Sequence, residues 1–378
     1  MTTLHRYVNG HIVVGDECWT GVEIAVAGDR IAALRPLTAD ARDAIDLAGG
    51  WIMPGFVDTQ VNGGGGVLFN DETSVDGIAA IAAAHARFGT TALLPTLISD
   101  TPDRIALALD AMDAAIAAGV PGIVGVHIEG PWLNVARKGI HDPARFRLLD
   151  DEMVALLTRP RRGRVMVTLA PELAGISQIA ALARAGVLVS AGHSEAPYDT
   201  AVAAFDAGLT GITHLFNAMP PMVQRVPGLV GAALDDPRPW CGLIVDGVHV
   251  APAVLRVAIA ARGLDRMMLV TDAMSSVGAA EKDFVLQGRA IHVADGICAY
   301  EDGTLAGSDL DMAQAVANAM AMLGLDPAAA ARLAAGNPAA FLGLSRDRGT
   351  LAPGLRADWV QLTTAMAPVV TIIGGRQA

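Results

Sequence analysis

The chain has 378 residues, is 52% hydrophobic and carries a formal net charge of −12. That length can bury one large core beside a smaller unit, and the acidic balance excludes nucleic acid and anionic membrane surfaces as non-specific partners, because a polyanion is repelled by the average field. A membrane span is excluded too: the most apolar stretch, Ile105 to Val120, is broken by Asp110 and Asp113, whereas a span needs about 20 predominantly apolar residues.

The N-terminus, Met1-Thr-Thr-Leu-His-Arg-Tyr7, has no apolar leader, and Cys18, Cys241 and Cys298 are too scattered for a disulfide framework or a thiolate metal site. The expected compartment is the cytoplasm. Residues 1–53 read as short strands with turns at Asn9-Gly10 and Gly28-Asp29, and the tail from Gly349 to Val360 reads the same way. Both ends therefore predict one small β-sandwich domain, 1–53 with 346–378, around a catalytic domain at 54–345.

From Pro54 onward apolar, β-branched runs alternate with Ala-rich amphipathic stretches, the pattern of βα units. Eight runs are expected as strands: Phe56–Val61, Thr91–Thr96, Ile123–Ile128, Val165–Leu169, Val187–Ala191, Gly211–His214, Cys241–Val245 and Met267–Thr271. Helices are expected over Val75–Phe88, Pro102–Ala118, Pro197–Ala207 and Pro252–Ala261. Eight units predict an α/β fold closed as a (β/α)8 TIM-type barrel. The sixth interval, Met219-Pro-Pro-Met-Val-Gln-Arg-Val-Pro-Gly228, contains too many prolines for a helix throughout and predicts a functional loop. After the last strand, Phe284 to Thr304 reads as a hairpin-like excursion, Gly303 to Ser308 as a turn, and Asp311 to Ala335 as helices.

In such barrels catalytic groups sit at the carboxyl ends of the strands. The polar residues closing these runs are Gln60 and Asn62, Thr96, His127 and Glu129, His193, His214 with Asn217, Asp246 with His249, and Asp272. A lone histidine is more often structural than a ligand, but Glu129, His193 and His214 come from independent strands to one rim. Two imidazoles and a carboxylate suit Zn²⁺ or Fe²⁺ and leave a position open for water. Asp272, in Leu269-Val-Thr-Asp-Ala273, can take the water proton and pass it to a leaving amine; its other reading is a helix N-cap.

The motifs Met53-Pro-Gly-Phe-Val-Asp58, His127-Ile-Glu-Gly-Pro-Trp-Leu-Asn134, Gly192-His-Ser194, Thr213-His-Leu-Phe-Asn-Ala-Met-Pro220, Asp246-Gly-Val-His249 and Thr271-Asp-Ala273 carry a resemblance over nearly the whole chain. The sequence resembles the amidohydrolase superfamily and, within it, the deacetylases of N-acetylhexosamine 6-phosphates. The resemblance implies metal-dependent hydrolysis of the acetamide of N-acetylglucosamine 6-phosphate, with N-acetylgalactosamine 6-phosphate as the sibling substrate. It implies metal ligands at Glu129, His193 and His214, a general acid/base at Asp272, and His141 as partner for the carbonyl oxygen. Sugar and phosphate contacts are implied at Ile140, His141, Asn217, Ala218, Arg225, His249 and the backbone of Leu305, Ala306 and Gly307. It further implies a homodimer in which the Arg225 loop reaches the neighbouring subunit's site; the alternative for Arg225 is a solvated loop charge.

The strand-end pattern departs from the wider superfamily at two places. Many relatives end the first strand in His-x-His and carry a bridging lysine on the fourth, whereas here the first ends Asp58-Thr-Gln-Val-Asn62 and Val165–Leu169 has no lysine. One divalent metal per subunit, Zn or Fe, is therefore expected. A metal-free scaffold of the same fold is the non-enzymatic alternative, and the intact ligand set argues against it.

Overall fold

A computed structural model describes residues 4–37 and 43–378; Met1 to Thr3 of the leader reading, and residues 38–42 of the N-terminal region, lie outside them. Eight parallel strands follow one another in chain order: β1 (Phe56–Val61), β2 (Thr90–Ile98), β3 (Gly125–Glu129), β4 (Arg164–Leu169), β5 (Leu188–Ala191), β6 (Gly211–Ile212), β7 (Trp240–Leu243) and β8 (Met267–Leu269). Each is followed by a helix before the next strand or the end of the barrel, among them Val75–Ala86, Pro102–Ala117, Tyr198–Asp206 and Met312–Leu323. Side chains set where helices start: Ser74 accepts from the Gly77 N–H, and Thr101 caps the next helix with Pro102 in its first turn.

The (β/α)8 barrel expected from the sequence is thus present, with every strand within a few residues of its expected place. The displacements reach two residues, at the end of β2, the start of β3 and the end of β7, and at the ends of β6 and β8, which stop at Ile212 and Leu269 rather than at His214 and Thr271. His214 and Asp272 have φ of 32° and 52°, and a strand cannot continue through left-handed backbone. β1 and β8 close the ring through a single bridge, Val61 with Ala273, rather than a ladder. The seam is completed by the Asp272 N–H on the Gln60 carbonyl at 3.0 Å and the Asn62 N–H on the Ala273 carbonyl at 2.8 Å.

The proline-rich interval after β6 is a loop, with Val223 and Val226 paired around its tip, and only from Gly228 to Asp235 does a helix form. The excursion after β8 is an antiparallel four-stranded sheet, Phe284–Leu286, Arg289–Ala294, Ile297–Ala299 and Leu305–Ser308. Its last member corrects the expected turn over Gly303 to Ser308: Ser308 pairs with Ile297, and Leu305 with Ala299.

The chain ends build two sheets. Arg30–Pro36, Val22–Ala27, Leu4–Val8 and Ile45–Asp46 form one; Arg376–Gln377, Pro368–Ile373, Trp359–Leu362, Trp51–Pro54, His11–Val14 and Glu17–Trp19 form the other. Ile24, Val26 and Ile31 from the first pack with Ile12, Ile52, Trp359 and Ile372 from the second. Asn9-Gly10 is the switch point where the chain leaves one sheet for the other, and Gly28-Asp29 turns a true hairpin. Trp359 is 1% exposed and meets Tyr7 edge-on at 5.2 Å, so a C-terminal side chain fastens the N-terminal strands. Trp359→Ala should cost about 3–5 kcal/mol of stability, read by urea unfolding; a loss below about 1 kcal/mol would show that the two ends do not share this core.

Candidate active site

Left-handed backbone at three strand exits turns side chains inward. His193, His214 and Asp272 all have positive φ, at 49°, 32° and 52°, a conformation that β- and γ-substituted residues enter at a cost and that clusters at functional sites. Glu129 closes β3 beside them. The Glu129 Oε1 lies 3.2 Å from His214 Nε2 and 3.3 Å from His193 Nε2, and the two imidazole nitrogens are 3.0 Å apart. All three groups are buried and their donor atoms fall within 4.8 Å of one another.

Outer hydrogen bonds decide which lone pairs face inward. His193 Nδ1 sits 2.8 Å from the Arg137 carbonyl; a carbonyl can only accept, so Nδ1 carries the proton and Nε2 offers a lone pair. The Ser99 N–H points at His141 Nδ1 at 3.3 Å, and the Ser99 hydroxyl is 2.7 Å from it. A backbone N–H can only donate, so the His141 proton is on Nε2, on the side of Glu129 Oε2 at 3.9 Å. Asp246 accepts from His249 Nδ1 at 2.5 Å and from the Val248 and His249 N–H groups at 2.9 Å each, which leaves His249 Nε2 free for a ligand.

The charges follow. Burial pushes the Glu129 carboxyl up, but the imidazoles of His193 and His214 against it, with His141 nearby, outweigh burial and hold the group well below the usual carboxylate range. Burial, reinforced by the neighbouring His193, drives His141 well below the ordinary histidine value, so it stands neutral. Asp272 is raised by burial and by the charge of Glu129, which suits a proton acceptor. Its Oδ1 takes amide hydrogens from Asn62 at 2.7 Å and Gln60 at 3.1 Å, and Gln60 Nε2 also lies 3.1 Å from Glu129 Oε1.

A cavity of about 400 Å³ opens over this cluster. It is lined by the three cluster residues and Asp272, and by His141, Ile140, Asn217, Ala218 and His249, with Leu305 and Gly307 on the far wall. Gly307 has φ of 60° and a Cβ there would stand 2.8 Å from the Asp272 carbonyl oxygen, so the wall reaches this close only as glycine. Ala306, also expected from the sequence, turns its side chain into the core with Ile98, Met274 and Leu286. Arg225 does not reach the cavity of its own chain: it is exposed at the tip of the proline-rich loop. His127 is a buried structural imidazole, bonded to Thr168 at 2.7 Å and pushed by burial down to about 4. No helix follows Asp272, so the capping reading of that residue falls.

Sequence reasoning did not single out several supporting residues. Gln60 and Asn62 stood among the strand-end polar groups without a role; Ser99, Arg137 and Glu172 were not singled out at all. Glu172 accepts from Asn134 Nδ2 at 2.9 Å, Ser194 Oγ at 2.7 Å and the Glu195 N–H at 2.7 Å, tying the loops that carry Arg137 and His193.

A barrel whose mouth gathers two imidazoles, a carboxylate and a second, raised carboxyl group has the arrangement of a hydrolase of the metal-dependent barrel class. The family model described as "Amidohydrolase family" matches residues 51–378. The chain belongs to the amidohydrolase family. It is 41% identical over 331 residues to an N-acetylgalactosamine-6-phosphate deacetylase of Shewanella sp., covering 87% of this chain and 83% of that one. It is 34% identical over 335 residues to an N-acetylglucosamine-6-phosphate deacetylase of Haemophilus influenzae, covering 88% and 87%. Among solved structures, N-acetylglucosamine-6-phosphate deacetylase from Pasteurella multocida superposes with a TM-score of 0.95 at 32% identity, over 100% of both chains.

The donor set fits a divalent cation: two imidazole nitrogens 3.0 Å apart and a carboxylate oxygen, all within 4.8 Å of one another, are ligand types that such ions take. His193→Asn should weaken divalent-metal binding by more than the about 10- to 100-fold that loss of an outer hydrogen-bond partner costs, read by metal titration of stripped protein. Unchanged affinity would remove His193 from the donor set.

Proposed function

We propose that the protein hydrolyses the acetamide of N-acetylglucosamine 6-phosphate, releasing glucosamine 6-phosphate and acetate, in the breakdown of amino sugars. The observation that carries this reading is the convergence of the Glu129, His193 and His214 donors, Asp272 and His141 on one cavity, in a chain that matches deacetylases of this substrate class over most of its length. A volume of about 400 Å³ suits a monosaccharide phosphate.

Glu129, His193 and His214 would hold a single Zn²⁺ or Fe²⁺, which when bound lowers the pKa of a coordinated water to about 7 and polarises a carbonyl. Asp272 accepts a proton from the attacking water, its carboxylate aimed by the Asn62 and Gln60 amides, and then delivers that proton to the departing amine nitrogen. His141, neutral and with its proton on Nε2, donates to the carbonyl oxygen as negative charge grows there. Asn217, His249 and the Leu305–Gly307 wall hold the sugar and its phosphate. Arg225, absent from its own cavity, fits the role of a cation supplied to a neighbouring subunit in a homodimer. The reading also includes a cytoplasmic location and a division of the chain at 1–53 with 346–378 against 54–345; no helix among the described residues is long and apolar enough to cross a membrane.

A second reading, deacetylation of N-acetylgalactosamine 6-phosphate, is favoured by the higher identity to the Shewanella protein, 41% against 34%. An acetate-release assay on both epimers, with and without the 6-phosphate, decides. The gluco substrate should show the higher kcat/KM, and a higher value for the galacto epimer would hand the assignment to the second reading. Asp272→Asn should lower kcat by about 10² or more while substrate still binds; near-normal turnover would remove Asp272 from proton transfer.

Arg225→Ala should cost about 10- to 100-fold in kcat/KM for the phosphorylated sugar and far less for the unphosphorylated one. Mixing Asp272→Asn with Arg225→Ala subunits should restore part of the activity. No recovery in mixed dimers would return Arg225 to its own subunit.

A further inference from the structure

The barrel seam holds a carboxylate that neither the metal donor set nor the cavity uses. Asp58, near the middle of β1, is 0% exposed. Its Oδ2 accepts the Thr271 hydroxyl at 2.5 Å, and its Oδ1 accepts the Gln60 N–H at 3.1 Å and the Thr271 N–H at 3.4 Å. A carboxyl group so far from water is costly unless its lone pairs are met, and the donors that meet this one come from β1 itself and from the segment just after β8, across the seam where no ladder forms.

The neighbouring bonds show what the carboxylate holds. Thr271 precedes Asp272, and its own carbonyl accepts the Ser308 hydroxyl at 2.6 Å. Asp272 gives its N–H to the Gln60 carbonyl at 3.0 Å and takes the Ser308 N–H on its carbonyl at 2.9 Å. The left-handed turn at Asp272, φ 52°, is therefore clamped from β1 on one side and from Leu305–Ser308 on the other. β8 ends at Leu269, so no regular ladder fixes Thr271; side chains do, the Ser308 hydroxyl on its carbonyl and, from β1, the Asp58 carboxylate on its hydroxyl and N–H.

We propose that Asp58 is a positioning residue for Asp272: acting through Thr271, its carboxylate fixes the backbone from which the proton-transfer group projects. The inference rests on the reading of Asp272 given above. Without the Asp58–Thr271 pair, the remaining backbone ties to β1 are the Gln60 carbonyl, which accepts from the Asp272 N–H at 3.0 Å and the Thr271 hydroxyl at 3.3 Å, and the Val61–Ala273 bridge past Asp272. The carboxylate then loses its register with the Asn62 and Gln60 amides. Displacements of that size at a reacting group are expensive in rate and cheap in binding.

The test compares Thr271→Ser, Thr271→Val and Asp58→Asn, each alone and combined with Asp272→Asn, by acetate release, KM and metal content. Thr271→Ser keeps the hydroxyl and should stay within about 2-fold of the parent kcat, whereas Thr271→Val and Asp58→Asn should lose about 10-fold in kcat with KM and metal content retained. In the Asp272→Asn background the same changes should cost no further turnover, because the group they aim is already gone. The proposal is overturned by parental kcat in both disruptive variants, by a loss carried in KM or metal content, or by an undiminished loss in the Asp272→Asn background. If Thr271→Val does not fold, the Asp58→Asn comparison decides alone. Normal turnover in Asp272→Asn by itself would overturn the underlying reading and this proposal together; a large loss there with parental kcat in Asp58→Asn would overturn only this proposal.

Discussion

Two imidazole nitrogens that lie 3.0 Å apart beside a buried carboxylate need either a hydrogen or a cation between them. The rest of the site is arranged around that constraint. The Arg137 carbonyl commits His193 Nε2 to the cluster, and Glu129 supplies the negative charge that keeps a bound cation from being purely a cost of desolvation. Gln60 and Asn62 then let two carboxylates, Glu129 and Asp272, stand close without a second cation, because each amide presents hydrogens where like charges would otherwise face. The Glu129 carboxyl is held low, as a proposed metal ligand must be, while that of Asp272 is raised, as the proposed proton acceptor requires. Two carboxylates acquire two roles from their surroundings.

The barrel makes this arrangement possible because each strand exit can be specified separately. Left-handed residues at the ends of β5, β6 and β8 bend the chain inward, and the loops that follow are free to differ. The loop after β3 lends its carbonyl to His193, and that after β2 orients His141 through Ser99. Glu172 on the loop after β4 binds the loops on either side of it. The seam between β1 and β8 is where the regular ladder gives way to side-chain bonds, and the proton-transfer residue stands at that break.

Most of the architecture was legible in the sequence, since β-branched runs separated by Ala-rich helices announce a parallel barrel with little ambiguity. Phe56–Val61 has its expected bounds, and of the two expected turns Gly28-Asp29 is a hairpin while Asn9-Gly10 passes the chain from one sheet to the other. Strand ends were less legible: the runs ending at His214, Val245 and Thr271 look extended by composition, yet β6, β7 and β8 each stop two residues earlier, and at His214 the backbone is left-handed. Leu305–Ser308 reads as a turn because of its glycine, and becomes a strand because neighbouring segments offer it partners. The residues proposed as metal donors were visible as polar residues closing apolar runs, and the structure brings them together. The groups that orient them were not: Arg137 acts through a backbone carbonyl that any residue possesses, and Ser99 and Glu172 act across loops remote in sequence. Arg225 is a third case, legible as a charge in a proline-rich loop but placed by its own chain away from the cavity.

The account stands or falls on one metal at Glu129, His193 and His214 supporting amide hydrolysis. The most direct measurement is a titration of metal-stripped protein with Zn²⁺ or Fe²⁺, following acetate release from N-acetylglucosamine 6-phosphate against bound metal per chain. Activity should be absent from the stripped protein and rise linearly to a plateau at one equivalent. Turnover without metal, or a plateau reached only at two equivalents, would contradict it.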